Sequence, residues 1–280
     1  MKLSNLILLF LPSTLIAMLF SLKTGAQGNL LLTPGRIVFE GQKRMQEVNL
    51  ANNGKDTATY LVSFIEIRMK EDGTFEQISQ PDSGQHFASS YLRFFPRRVI
   101  LAPNEAQNVK VQLTKSSKLS PGEYRSHMYF RAVPEEVPLG TEVSSINSKS
   151  LVVKLTPVFG ISIPVIIRVG ELAHIVSLSG ASLNISSDSI PVLDLVLNRS
   201  GDKSTYGDLK IEHISFHGKA TVVAEVKGIA VYTPTLSRRV KIKLQTSKGV
   251  NYKTGKLHVM YFTSSDQQSI KLAETELTLY

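Results

Sequence analysis

Six histidines and no cysteine stand among the 280 residues of the chain, so a metal site would have to be built without thiolate. His213 and His217 are four apart, a spacing that on a helix puts both rings on one face. The stretch around them reads as a strand, where the same spacing separates them by ~13 Å, too far to share an ion. No grouping of histidine with acidic residues has zinc-like spacing, so neither a metal nor a cofactor is expected. No G-x-S-x-G elbow, acid pair or Ser/His pattern marks a nucleophile, and the chain does not read as an enzyme. GVNYKTGK, Gly249–Lys256, superficially evokes a phosphate loop. Its spacing is wrong, no Ser or Thr follows Lys256, and no helix follows to supply a dipole, so it reads as a charged hairpin. Arg97 and Arg98 suit an acidic partner or, more simply, a solvated strand start.

The chemistry that remains is that of a strand edge. In Ser148–Val169, Leu151, Val153 and Leu155 alternate with Val152, Lys154 and Thr156, the period of a strand with two different faces. Ile161–Ile167 is nearly all apolar and β-branched, which suits a strand covered on both sides. The run therefore changes environment around Pro157–Gly160. It is an ordinary last strand of a sandwich, or its first half lies at a sheet edge. In the second case its free N–H and C=O groups can pair with another chain.

The elements around that run are strands throughout. Leu30–Gly41 alternates and is broken by Pro34-Gly35, the mark of a strand that kinks or switches sheets. Arg44–Gly54 alternates and stops at Asn52-Asn53-Gly54. Thr57–Gly73 reads as one strand ending in the turn pair Asp72-Gly73, and the polar stretch after it as a loop. Short strands follow at Arg98–Leu101 and Ala106–Leu113. In Gly122–Pro134, Tyr124, Ser126, Met128 and Phe130 share a face, and Glu135–Lys149 is a polar loop. This spacing of short strands and turns predicts an all-β protein, with an immunoglobulin-like sandwich at 27–169 and a second, smaller sandwich at 170–280.

Composition bounds the setting. Lys2, an apolar run from Leu6 to Leu22, and small residues at Thr24 and Ala26 fit a cleaved export signal over residues 1–26. No other stretch approaches ~18 uninterrupted apolar residues. The formal charge of +9 falls by two, to +7, when Lys2 and Lys23 leave with the signal. The basic residues are scattered rather than clustered with aromatics, and an exported chain is not expected to meet nucleic acid. Without disulfides, packing alone must hold it.

Three motifs in this order, GRIVFEGQKR with a following NNG, FFPRRVILAPNEAQNVKV and PGEYRSHMYFRAVP, resemble the PapD-like periplasmic chaperones that assemble pili (fimbriae). The resemblance covers about Leu30 to Arg168; the second region matches only in general β character. It implies a periplasmic, ATP-independent chaperone that caps pilus-type subunits by donating a β-strand, with an outer-membrane usher as a further partner. The groove-filling residues match Leu151, Val153 and Leu155. The arginine that clamps the client's terminal carboxylate matches Arg36, whose planar fork suits a carboxylate. The family's second basic anchor is not matched: the expected position falls on Gly160 or, with a two-residue slip, Ser162. Lys154 and Arg168 lie near in sequence without matching it. The long loop Glu135–Lys149 resembles the family's long-loop branch, whose disulfide is impossible here. A structural or adhesive surface protein made of immunoglobulin-like domains is the alternative expectation.

Overall fold

The computed structural model describes residues 30–134, 158–185, 190–246, 249–264 and 269–280. The expected signal, and the stretch with Leu151, Val153 and Leu155, lie outside the described residues.

Alternation of apolar and polar residues folds, as expected, into an all-β protein of two sandwiches, with no α-helix among the described residues. The first contains β1 (Leu30–Thr33), β2 (Ile37–Phe39), β3 (Met45–Asn52), β4 (Ala58–Ile65), β5 (Ile67–Met69), β6 (Phe75–Gln77), β7 (Leu92–Phe95), β8 (Arg98–Leu101), β9 (Ala106–Leu113), β10 (Gly122–Val133) and β11 (Gly160–Val169). One sheet has the order β1-β3-β9-β7 and faces a second of order β2-β11-β10-β4-β8, the strand arrangement of an immunoglobulin sandwich. The Pro34-Gly35 break is the switch: β1 pairs with β3 in one sheet, and β2 runs parallel to β11 in the other. Ile37, Phe39, Val48, Leu50, Val109, Val111, Met128, Phe130, Val165 and Ile167 fill the space between. The inward set on β10, Tyr124, Ser126, Met128 and Phe130, is the face that alternation predicted.

At Gly170 the backbone has φ of +81°, and a Cβ there would stand 3.2 Å from Pro121. Glycine is thus the residue that lets the chain leave β11 at this angle. The second sandwich contains β12 (His174–Ile185), β13 (Pro191–Gly201), β14 (Thr205–Ile214), β15 (Ala220–Val231), β16 (Ser237–Lys243), β17 (Gly255–Thr263) and β18 (Lys271–Leu279). Its sheets are β12-β13-β16 and β15-β14-β17-β18. Leu193, Leu195, Leu197, Leu209, Ile211, Val259 and Tyr261 form its separate core.

Two elements differ from expectation. Ile161–Ile167 is covered on both sides only from Ile163 onward, and Ile161 and Ser162 are exposed because β2 pairs with β11 only at Val165–Ile167. Thr57–Gly73 is not a single strand: β4 follows β10 as far as Ile65 opposite His127 and then breaks at Glu66. The carbonyl of Glu66 there accepts a bond from the Ile78 N–H, and its carboxylate one from the Ser126 hydroxyl. The chain restarts as β5, turns at Asp72-Gly73 and returns as β6, a separate two-stranded hairpin. The turn was visible as an Asp-Gly pair. The strand Phe75–Gln77 was not, because all three of its residues are exposed and no alternation marks it.

Candidate functional site

The sheet β2-β11-β10-β4-β8 has two faces, and its second face is only partly solvent. Register places Val38, Ile166 and Arg125 side by side across β2, β11 and β10, with Pro164 opposite His127 and Arg168 opposite Glu123. All point away from the first core. The second sandwich covers them with Tyr206, Ala230, Tyr232 and Thr233: Ile166, Met69, Ala230 and Tyr232 form a small apolar cluster joined by Val38 and Tyr206. The result is a cleft with one wall from each sandwich.

Arg36, just ahead of β2, stands in this cleft. Its guanidinium lies 4.1 Å from the centre of the Tyr206 ring, a cation–π contact that orients the plane. Its Nε is buried without a hydrogen-bond partner. Burial lowers its pKa, and the charge of Arg168 acts in the same direction. No acidic side chain pairs with it among the described residues. An oriented, half-buried guanidinium with donors to spare is suited to an incoming carboxylate.

The positions expected for a second basic anchor cannot supply one. Gly160 has no side chain, and the ring of Tyr129 lies over it, so that a Cβ there would require the ring to move aside. Ser162 is exposed and uncharged. Arg168 is committed: its Nε donates to Glu123 at 3.0 Å and its Nη1 lies 3.5 Å from Glu40. Lys154 lies outside the described residues.

A buried carboxylate joins the two walls. Glu123, on β10, has a fully buried side chain. It accepts bonds from Arg168, from the Ser204 hydroxyl, from the Ser204 N–H at 3.2 Å and from the Thr233 hydroxyl at 3.3 Å. The Thr233 N–H in turn donates to the Ser204 oxygen at 2.9 Å. Ser204 and Thr233 belong to the second sandwich and Arg168 to the first, so one charge fixes how the cleft walls meet. A carboxylate removed from water needs this many donors. These residues were not singled out from the sequence, where Glu123 alternates with inward Tyr124 like any solvent-facing side chain.

His127 adds an acid-sensitive group. It is packed near Phe75 and Tyr232, with ring centroids 5.6 and 6.2 Å away. Burial and the charge of Arg125 hold its pKa down from 6.5 to about 3. The folded protein therefore keeps His127 neutral while an unfolded chain takes up a proton. That contribution to stability is complete above pH 6.5 and is lost as pH falls from 6.5 towards about 3, at up to about 1.4 kcal/mol per pH unit. His127→Gln should remove that part of the slope of unfolding free energy against pH. An unchanged slope would remove His127 as its source.

The other end of the site is a strand edge. β10 accompanies β11 along its whole length, whereas β2 covers only Val165–Ile167. From Gly160 to Pro164 the far side of β11 has no partner strand among the described residues. On this stretch Phe159 is 57% and Ile161 42% exposed, although they share the parity of Ile163, which is 4% exposed and in the core. An apolar, inward-parity row thus runs out of the core onto an edge that has no partner strand among the described residues. Leu151, Val153 and Leu155 have the same odd parity and lie outside the described residues.

The other candidates fall elsewhere. His213 is buried on β14, its Nε2 donating towards the carbonyls of Asn251 and Thr254, each at 3.0 Å. His217 lies in the β14–β15 turn beside Phe216. Gly249–Lys256 leads into β17, with the Tyr252 hydroxyl bonded to the Gln245 carbonyl and Lys256 paired with Glu276. Arg97 lies 5.8 Å from the Phe94 ring, and Arg98, exposed, starts β8.

No family model matches the chain, and no curated protein matches it. Among solved structures it is similar to the YadV chaperone, at 14% identity and a TM-score of 0.44 over 89% of this chain and 99% of that one. It is similar to the CupB2 chaperone of Pseudomonas aeruginosa, at 13% and 0.43 over 89% and 100%. The third is a pre-assembly complex of a CsuC chaperone and CsuE tip adhesion subunit, from archaic chaperone–usher Csu pili of Acinetobacter baumannii. There the identity is 14% and the TM-score 0.42, over 90% of this chain and 99% of that one. These are distant likenesses, and the chemistry of the cleft stands on the residues of this chain.

Proposed function

We propose that this protein is a periplasmic, ATP-independent assembly chaperone that caps pilus-type subunits by lending them a strand. The observation that carries the reading is the free edge of β11, an exposed apolar row leading away from the cleft in which Arg36 stands. A client strand pairs with that edge through backbone hydrogen bonds. Phe159 and Ile161, continued by Leu155, Val153 and Leu151, fill the gap in its core. Arg36 receives the terminal carboxylate of the same client, which sets the register of the pairing. Export follows from cleavage after residue 26, and an outer-membrane usher receives the loaded complex. No chemical step is involved, and the chain acts by binding alone.

The test is co-expression with a small secreted subunit of pilus type. Recovery of a one-to-one complex is expected, and a chain found alone on the outer surface would favour the adhesive alternative. Arg36→Ala should weaken capture by about ten- to a hundredfold, the worth of charge-assisted bonds to a carboxylate. Loss of the Tyr206 stack should cost only about 1 kcal/mol of stability. Unchanged capture would remove Arg36 from the site, and a collapsed melting temperature would make it structural.

A further inference from the structure

At the end of the second sandwich away from the first, hydrogen bonds lace three connections together. The Leu244 N–H donates to the Pro191 carbonyl and the Gln245 N–H to the Val223 carbonyl, each at 2.8 Å. The Tyr252 hydroxyl donates to the Gln245 carbonyl at 2.6 Å, and the His213 ring meets the carbonyls of Asn251 and Thr254. Ile214 stands opposite both Ala220 and Lys256. The β12–β13, β14–β15 and β16–β17 connections thus form one end surface. The opposite end of the same strands carries Ser204 and Thr233, which dock on Glu123. β14, with 10 residues, spans the distance, so the two ends stand ~30 Å apart.

This end presents apolar tips and lysines together. Phe216, at the apex of the β14–β15 turn, is 89% exposed, and Ile185 and Ile190, beside the β12–β13 turn, are 50% and 43% exposed. The turn itself holds Phe216 outward, closed by the Gly218 N–H on the Ser215 carbonyl and the Ser215 N–H on the Lys219 carbonyl. Lys219 lies in the same turn, Lys243 ends β16 and Lys253 lies in the connection after it, all exposed. None of these three ammonium groups has an ion-pair or hydrogen-bond partner among the described residues. The acids nearby are engaged, Glu276 with Lys256 at 2.7 Å and Glu212 with Lys210 at 2.9 Å. An exposed apolar side chain is ordinary by itself, as Ile175 shows at the other end with 75% exposed. Apolar tips on separate turns, set among unpaired cations, are different. They offer no flat apolar face to a protein, but they match the headgroup layer of an anionic bilayer, which takes an apolar tip below its phosphates and lysines level with them.

We propose that this end is a membrane-surface contact, where Phe216, flanked by Ile185 and Ile190, enters the headgroup boundary of an anionic lipid bilayer and Lys219, Lys243 and Lys253 meet its phosphates. The attachment is peripheral and reversible, because one aromatic tip and three lysines hold far less strongly than a spanning segment. The cleft and the β11 edge lie beyond the opposite end of the sandwich, so a chain attached in this way keeps both turned to solvent. The inference does not rest on the strand-lending reading.

The chain has no tryptophan, so Phe216→Trp places a single fluorescent reporter at the apex. The protein to use is 27–280, which keeps every described residue and omits the apolar run Leu6–Leu22, a segment that would enter a bilayer by itself. The probe is vesicles of mixed phosphatidylcholine and phosphatidylglycerol. With them, emission of the Phe216→Trp protein should move to the blue and be quenched by brominated acyl chains. The Ile175→Trp protein, with its reporter at the other end, should show neither effect. Phosphatidylcholine vesicles alone should retain little protein, and inorganic phosphate should leave the emission unchanged. In flotation with the mixed vesicles, Phe216→Ser should weaken partitioning at least about tenfold. Lys219→Glu with Lys253→Glu should weaken it at least about twentyfold, with the melting temperature unchanged in both variants. No partitioning of the wild type, or partitioning that either variant leaves unaltered, overturns the inference. A blue shift that grows with protein concentration in the absence of vesicles would assign the tip to a second copy of the chain and overturn it as well.

Discussion

Glu123→Ala should cost about 3–5 kcal/mol of stability, because it leaves a buried arginine and two hydroxyls without the charge they were built around. Arg168 keeps only the rim contact with Glu40, while Ser204 and Thr233 lose their acceptor altogether. The loss falls on the junction rather than on either core, so both sandwiches should remain folded in mild denaturant while their mutual orientation loosens. Glu123→Gln preserves shape and some bonds and should cost less, about 1–3 kcal/mol. Urea unfolding gives the free energies, and small-angle scattering reports the orientation. A cost below about 1 kcal/mol for the alanine variant, typical of a surface pair, would mean that the network does not hold the cleft together.

Ile161→Ser and Ile163→Ser should have opposite effects, although the residues are two apart on the same strand and the same face. Ile163 is 4% exposed within the first core, so its truncation should cost about 2–5 kcal/mol. Ile161 is 42% exposed on the free edge, and its replacement should move stability by no more than about 0.5 kcal/mol. If this edge is lent to a client, the cheap substitution is the one that abolishes function. Each groove-filling side chain is worth roughly 1.5–3 kcal/mol, so Ile161→Ser, Val153→Ser and Leu155→Ser should each weaken subunit capture by about ten- to a hundredfold. Capture and unfolding are to be measured on the same preparations. Equal destabilisation at positions 161 and 163, with the subunit still bound by the folded fraction, would mean that β11 is core to its end.

The periodic features of the chain were legible in its residues. Alternation located β3 and put Tyr124, Ser126, Met128 and Phe130 of β10 on one face, because a strand's two faces are a local consequence of its pleat. Pro34-Gly35 announced a kink or a switch between sheets, and Asp72-Gly73 a turn, since both depend on the backbone preferences of those residues alone. Arg36 was singled out through its motif, not through any property of arginine. What the residues could not disclose is what lies against the second face. Glu123, Arg125 and His127 alternate with inward side chains as solvent-facing residues do, and a polar face buried by another sandwich has the same period as one bathed in water. Only the docking of Ser204, Tyr232 and Thr233 from the second sandwich, far along the chain, turned that face into a cleft. The β11 edge that lacks a partner strand among the described residues was likewise decided at long range. Its exposure depends on where β2 stops pairing, at Val165 beside Ile37, and no local pattern in β11 records the length of its neighbour.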